Sequence, residues 1–577
     1  MASGEVVLSV AGLSVDFPMR TSTLHAVRNV SLELRRGETL CLVGESGSGK
    51  SVTARSLMRI VDKPGKLVGG RILLDPGTEK MLDLAALPPT DHRVRAIRGA
   101  RIGFIFQEPM SALSPLYTIG AQIDEVTQLH LRFDKKAARA RTIELLRQVE
   151  ISDPARMAER YAFEFSGGMR QRVCIAMALA CNPEILIADE PTTALDVTTQ
   201  AEILDLIKRL QTERGMAMLL ITHDMGVVAE VANDVAVMRR GEIVEQGPVD
   251  DIFYNPRHPY TRRLLAATLK LEQPSDLAPA FPAIDDIQPV LTVRNLTKLY
   301  GGPGGMFGKR RGAPHPAVDD VSLDLYPGES LGIVGESGTG KTTLGRLILR
   351  VVEPTRGTVH YRERGGRFTN VLDLDRAGLR RFHAEVRLIF QDPFASLNPR
   401  MTVKRIVGDP LRTNGLARGA ALERRVGELL RLVGLDPSSM ERYPHAFSGG
   451  QRQRIGIARA LALDPRIIIA DEATSALDVS IRSQILDLLL DLRKRLDLSF
   501  IFISHDISVV RYFCDRVAVM HRGRVVEIGD ADTFCTRPSQ PYTQSLISAV
   551  PNPDPRDKRM LHRTRFDADA VGATDQR

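Results

Sequence analysis

The sequence predicts two related α/β domains in tandem, and three observations carry that prediction. The stretch FSGGMRQRVCIAMALA at 165–180 returns as FSGGQRQRIGIARALA at 447–462. A glycine-rich GxxxxGK[ST] loop occupies 44–51 and again 335–342. Each half also holds a continuous apolar run ending in two acids, ILIADE and IIIADE, as suits a parallel strand buried on both faces. The repeat is regular. Ser166 and Ser448, Asp189 and Asp471, and His223 and His505 each lie 282 residues apart.

A chain of 577 residues is long enough for several domains. At 43% hydrophobic and 26% charged residues it is ordinary globular protein, neither disordered nor membrane-embedded. No apolar stretch approaches the roughly 18–20 residues that span a bilayer; AMLLI at 217–221 is strand-sized. The opening MASGEVVLSV has no basic region before an apolar run, so no secretory signal is expected. The five cysteines are scattered and show no CxxC spacing. That argues against disulfide or zinc frameworks and for a reducing cytosolic setting. Cys174 and Cys181 share one face of an expected helix and read as small buried apolar residues. The net charge of +8 fits an anionic ligand, a nucleic acid or an acidic membrane surface. Its local clusters, Lys309–Arg311 and Arg556–Arg565, read first as solvated charge.

Each half opens with alternating apolar residues, VVLSVAGLSVDF (6–17) and VLTVRNLTKLY (290–300), the pattern of half-buried strands. Next come LCLVGESGSGKS and LGIVGESGTGKT, a strand running into a glycine-rich loop. Gly44, Ser46, Gly47 and Gly49, repeated as Gly335, Ser337, Gly338 and Gly340, let backbone N–H groups close around phosphate oxygens. Lys50 and Lys341 reach terminal phosphates, and Ser51 and Thr342 offer a hydroxyl to Mg²⁺. Helical segments follow, SVTARSLMRI and TLGRLILR.

Gln107 comes after the strand-like IGFIF, and Gln391 after VRLIF. Such a residue can ligate Mg²⁺ and sense a γ-phosphate; alone, either reads as a loop residue. The pattern then turns helical, as in KKAARARTIELLRQVEI and again over 420–435. Ser166-Gly167-Gly168 and Ser448-Gly449-Gly450 put a hydroxyl and free N–H groups at a helix N-terminus, which favours an anion. Asp189 and Asp471 end buried strands and are placed to hold Mg²⁺, through water. Glu190 and Glu472 follow as general bases for an attacking water. His223 and His505, after AMLLIT and SFIFIS, can hydrogen-bond the phosphate and orient that water. The expected organisation is a first domain at 1–271, a Pro-containing acidic linker at 272–288, a second domain at 289–555 and a basic, flexible tail at 556–577.

Taken together, these residues resemble the ATP-binding cassette (ABC) ATPases over nearly the whole chain. ALDV at 194–197 and 476–479 matches as well. The resemblance implies two P-loop NTPase domains, each with a RecA-like core, an antiparallel β subdomain and a helical subdomain. It implies ATP and Mg²⁺ as cofactors. It also implies head-to-tail pairing, with the Ser-Gly-Gly of one half capping the γ-phosphate held by the other half's glycine loop. Phe17 and Tyr300 match the aromatic position that stacks on adenine, with strand packing as the plainer alternative. Met169 and Ala473 depart mildly from the family pattern.

Within the family, QEPMSALSP, QDPFASLNP, NPRHPYTRRLL (255–265) and RPSQPYTQSLI (537–547) resemble the dipeptide, oligopeptide and nickel importers. Gln540 stands where that group has His. Some relatives carry an iron–sulfur cysteine cluster; no cysteine lies between Cys181 and Cys514, so none is expected. The implied role is an ATPase subunit, peripheral on the cytoplasmic face of the inner membrane. Its implied partners are two integral-membrane permease subunits and an extracytoplasmic substrate-binding protein, with no nucleic acid. The competing reading is a soluble twin-cassette protein acting on ribosomes or DNA, which the basic tail alone keeps open.

Overall fold

The computed structural model describes residues 4–193, 195–277, 287–301, 315–392, 395–475 and 477–566. Ala194, Ala476, the middle of the expected linker, the Lys309–Arg311 cluster and the last eleven residues of the tail lie outside the described residues. The chain forms two compact units.

The first unit is built on a six-stranded sheet. Across it run Ile102–Ile105, Ile185–Asp189, Ala217–Thr222, Thr39–Val43, Asp234–Arg239 and Glu242–Pro248, parallel except for the last. Ile185–Asp189 and Ala217–Thr222 are buried at every position, which is why their sequences are continuous apolar runs rather than alternating ones. A four-stranded antiparallel sheet, led by Val6–Pro18 paired with Thr23–Arg35 and Lys66–Leu74, packs its apolar face into the same core. A third layer is helical. Ile119–Leu131 starts at its Thr118 cap, Lys135–Gln148 at Asp134, and Gly167–Ala178 at Ser166. Cys181 falls beyond the last of these helices, so the two cysteines do not share a helix face as expected. Burial pushes the Cys174 thiol up to about 12, which fits a small core residue.

The second unit repeats the plan. Its six-stranded sheet runs Val386–Ile389, Ile467–Asp471, Ser499–Ile503, Ser330–Val334, Arg516–His521 and Arg524–Asp530. Its antiparallel sheet is led by Leu291–Tyr300 and His315–Leu325. Its helical layer includes Val403–Thr413, Gly419–Leu432 and Gly449–Leu461.

The unit boundaries differ from those expected. By contacts, the first unit takes 4–268 together with Ala549–Arg563, and the second takes the chain from Leu269 to Ser548 and from Thr564 onward. The start of the expected tail is therefore packed: Met560 is fully buried in the first unit's core. Its basic neighbours hid this in the sequence, because Arg556–Arg565 reads as solvated charge until Met560 and Leu561 find an apolar surface.

Candidate functional site

In each unit the glycine-rich loop joins a central parallel strand to a helix, Thr39–Val43 to Lys50–Leu57 and Ser330–Val334 to Lys341–Ile348. The loop backbone follows a path that side chains would block. Gly44 has φ +153°, and a Cβ there would lie 2.2 Å from the Met238 carbonyl oxygen. At Gly340, φ +100°, it would lie 2.1 Å from the Ala317 carbonyl oxygen. Gly47 and Gly338 take positive φ in open space, and Gly49 and Gly335 repeat the crowding. Lys50 and Lys341 are buried inside their loops, where each ammonium donates to two loop carbonyls, Gly44 and Glu45 or Gly335 and Glu336. Ser46 and Ser337 lie within the same loops.

The acidic pair closes the site from the neighbouring strand. Ser51 Oγ donates to Asp189 Oδ1 at 2.9 Å, and Thr342 Oγ1 to Asp471 Oδ1 at 3.1 Å. Burial raises both aspartates above the usual carboxylate range, against the pull of these hydroxyls. One residue on, Glu190 and Glu472 adopt φ +47°, a left-handed conformation costly for a side-chain-bearing residue. Their amides donate to Ile221 and Ile503 carbonyls across the sheet, which holds the turn.

Each glutamate gathers the remaining polar residues. Gln107 Nε2 donates to Glu190 Oε2 at 2.8 Å, and His223 Nδ1 lies 3.3 Å from Oε1. Gln391 and His505 stand at 2.6 and 3.2 Å from Glu472. Burial alone would lift Glu190, but the bond to and charge of His223, with Thr193 and Lys50, outweigh it and hold the carboxyl down to about 2. Glu472 is lowered in the same way by His505 and Lys341 against its burial. Both are ionised at neutral pH and can accept a proton.

The hydroxyl–carboxylate pairs form hard oxygen donor sets of the kind Mg²⁺ takes, with phosphate and water completing the shell. Ser51 and Asp189, or Thr342 and Asp471, would hold the ion, with Gln107 or Gln391 beside them. Among the described residues no group of three or more His, Cys, Asp or Glu forms a protein-only metal cage.

Other expected residues lie elsewhere in each unit. Ser166 Oγ accepts from Met169 N at 3.3 Å and heads its helix, and Ser448 does so in a reciprocal box with Gln451. Among the described residues neither serine bonds the glycine loop of its own unit. A Cβ on Gly168 would meet Thr199 Cγ2 at 2.6 Å, and one on Gly450 would meet Ile481 Cγ2 at 2.4 Å. These second glycines therefore allow close helix packing, while Gly167 and Gly449 open the helices. The Phe17 ring lies over Gly65, where a Cβ would meet it at 2.6 Å. Tyr300 is 41% exposed at its strand end, with the Lys298 ammonium over the ring.

Two site contacts escaped the sequence reading. Thr193 donates to Glu190 at 2.8 Å. The tyrosine of the His-Pro-Tyr segment, read only as a group marker, touches the phosphate loop: Glu45 N donates to Tyr260 Oη at 3.0 Å and Glu336 N to Tyr542 Oη at 3.3 Å. Both tyrosines recur at the same offset as the other pairs, which was the available signal.

With this geometry in place, comparison with known proteins is decisive. The ABC transporter family model matches residues 27–193 and 318–475. The chain belongs to the ABC transporter family. The oligopeptide/dipeptide transporter C-terminal region matches 244–310 and 526–572, which brackets both tyrosines. The chain is 48% identical to the glutathione import ATP-binding protein GsiA of Salmonella choleraesuis, over 96% of this chain and 92% of that one. Against GsiA of Escherichia coli K12 the identity is also 48%, over 96% and 91%. Among solved structures, the dimeric ABC transporter cassette MJ0796 is 30% identical over 42% of this chain and 98% of its own, with a TM-score of 0.38. The chain is thus a tandem ABC ATPase, the ATP-binding subunit of a peptide-type importer, and nothing supports the ribosome or DNA reading. Among the described residues, no helix is long and apolar enough to cross a membrane.

Proposed function

We propose that this ABC subunit powers uptake of a small peptide-class solute, with glutathione the first candidate, by hydrolysing ATP at two composite sites. The carrying observation is the 48% identity to a glutathione import ATPase over nearly the full length of both chains. In this reading the chain sits peripherally on the inner membrane's cytoplasmic face. It docks on two membrane permease subunits fed by an extracytoplasmic binding protein.

The residues divide the work. Loop N–H groups with Lys50 and Lys341 hold the phosphates, and Phe17 and Tyr300 meet adenine. Mg²⁺, when bound, neutralises charge on the transferring phosphoryl group. Glu190 and Glu472 take the proton of the attacking water, which Gln107, His223, Gln391 and His505 orient. Glu190 and Glu472 have low proton affinity while paired with their histidines; moving the histidine to the phosphate would free the carboxylate as base. In the head-to-tail pairing that the ABC family implies, Ser448 serves the ATP held by Lys50, and Ser166 the ATP held by Lys341. ATP binding closes the cassettes, hydrolysis reopens them, and the permeases convert that motion.

Two experiments test this. Uptake of labelled glutathione is compared in cells with and without the chain and its permeases; equal uptake in both removes the substrate assignment. Vanadate trapping with site-specific crosslinking then reads nucleotide at each site in Ser448→Arg. Loss at the Lys50 site supports composite pairing, and loss confined to the Lys341 site refutes it.

A further inference from the structure

Each unit includes a short segment that follows, in the chain, the His-Pro-Tyr helix of the other half. After Pro541–Ser548, residues Ala549–Arg563 join the first unit. At the end of Pro259–Leu271, the chain from Leu269 joins the second. The two segments land on equivalent surfaces. In the first unit, Asn552 N and Met560 N donate to Glu230 Oε1 at 3.3 and 3.0 Å, and Arg563 pairs with Asp205 at 2.9 Å. In the second, Lys270 pairs with Asp487 at 2.6 Å and lies over the Tyr512 ring, while Glu272 accepts from Ser508 at 2.8 Å through its carboxylate and from Arg511 through its carbonyl. Asp205 and Asp487, Glu230 and Tyr512, Gly226 and Ser508, and Asn552 and Lys270 are all pairs 282 residues apart. The repeat offset thus relates the contacts as well as the sequences.

The receiving surface has a defined place. Glu230 lies on Met225–Val231, the helix that begins two residues after His223, and in its first turn a Cβ on Gly226 would come within 3.0 Å of Pro551. Ser508, Arg511 and Tyr512 lie on Ile507–Phe513, the helix that follows His505. The first unit's contacts are buried, whereas Lys270 and Asp487 in the second are partly exposed. Met560 is fully buried, the Arg563 side chain is 6% exposed, and Glu230 is 1% exposed. A carboxylate so placed is costly without donors, and the backbone of the arriving segment supplies them.

We propose that these exchanged segments are reciprocal straps. The chain following each cassette's His-Pro-Tyr helix docks on the helix behind the other cassette's site histidine, and the paired straps keep the cassettes associated when nucleotide has left.

The test uses the full chain with a site-specific protease sequence inserted between Leu277 and Ile287, cut after purification and run on size exclusion without nucleotide. The two fragments should co-elute. Lys270→Asp with Arg563→Asp, which sets like charges against Asp487 and Asp205, should separate them. Adding Asp487→Lys and Asp205→Arg should bring them back together. Melting and ATP binding of each fragment confirm folding. If the charge-reversed chain fails that check, a chain ending at Ser548 with Lys270→Asp replaces it and should also separate. Wild-type fragments that part without nucleotide overturn the proposal, as do charge-reversed or truncated fragments that stay together.

Discussion

Tyr260→Phe isolates one hydroxyl that the fold aims at the phosphate loop. The ring is 1% exposed, lies under the Arg239 guanidinium 4.9 Å from its centroid, and packs in the core of the first unit. Phenylalanine keeps that packing and removes the hydroxyl that accepts from Glu45 N, 3.0 Å away. A neutral hydrogen bond contributes about 0.5–1.5 kcal/mol net, and a buried donor left without its acceptor costs about 1–3 kcal/mol. Because Glu45 N is only partly buried, about 1 kcal/mol is the working figure, or roughly a fivefold weakening of ATP at this site. Calorimetric titration of ATP into Tyr260→Phe in a Lys341→Ala background reads that site alone. An affinity within a factor of about two of the same background with Tyr260 intact would refute the view that this tyrosine holds the loop. Tyr260→Ala is a poor substitute, since losing a buried aromatic costs about 3–5 kcal/mol and obscures the hydroxyl's effect.

Glu190→Gln with Glu472→Gln should keep ATP binding and lower turnover by roughly 10²–10⁴, measured by phosphate release; wild-type turnover in a double mutant that binds ATP contradicts the general-base role. Gly168→Val should drive a side chain into Thr199, which a Cβ there would already meet at 2.6 Å, and lower stability by about 1–3 kcal/mol, read as an earlier melting transition than in a Gly456→Ala control, where the site is open. Glu329 is fully buried, and desolvation lifts its carboxyl to about 7 against the pull of the Tyr326 amide and Arg516. The folded unit therefore binds a proton that the unfolded chain releases, so stability should fall as pH rises from the ordinary carboxylate range to about 7. Glu329→Gln should flatten that slope in melting curves taken across this range, and an unchanged slope would assign it to another group.

What the sequence alone determined is what local chemistry demands. A phosphate loop needs glycines at set spacing because its backbone turns where Cβ atoms cannot go. A strand buried on both faces must be apolar throughout, so ILIADE and IIIADE announce both the strand and the acids at its end. Because the motif set occurs twice, the two-domain plan was legible as well. The tertiary structure decided what depends on distant residues meeting. The gathering of Gln107 and His223 on Glu190 joins three loops that only the sheet order brings together. The placement of Tyr260 on the glycine loop joins residues 215 positions apart. The segment at 549–563 is the clearest case. From Arg556 onward its arginines and aspartates read as a solvated tail, because burial of Met560 and Arg563 depends on an apolar floor and an Asp205 more than three hundred residues away. Local composition carries no record of such a partner.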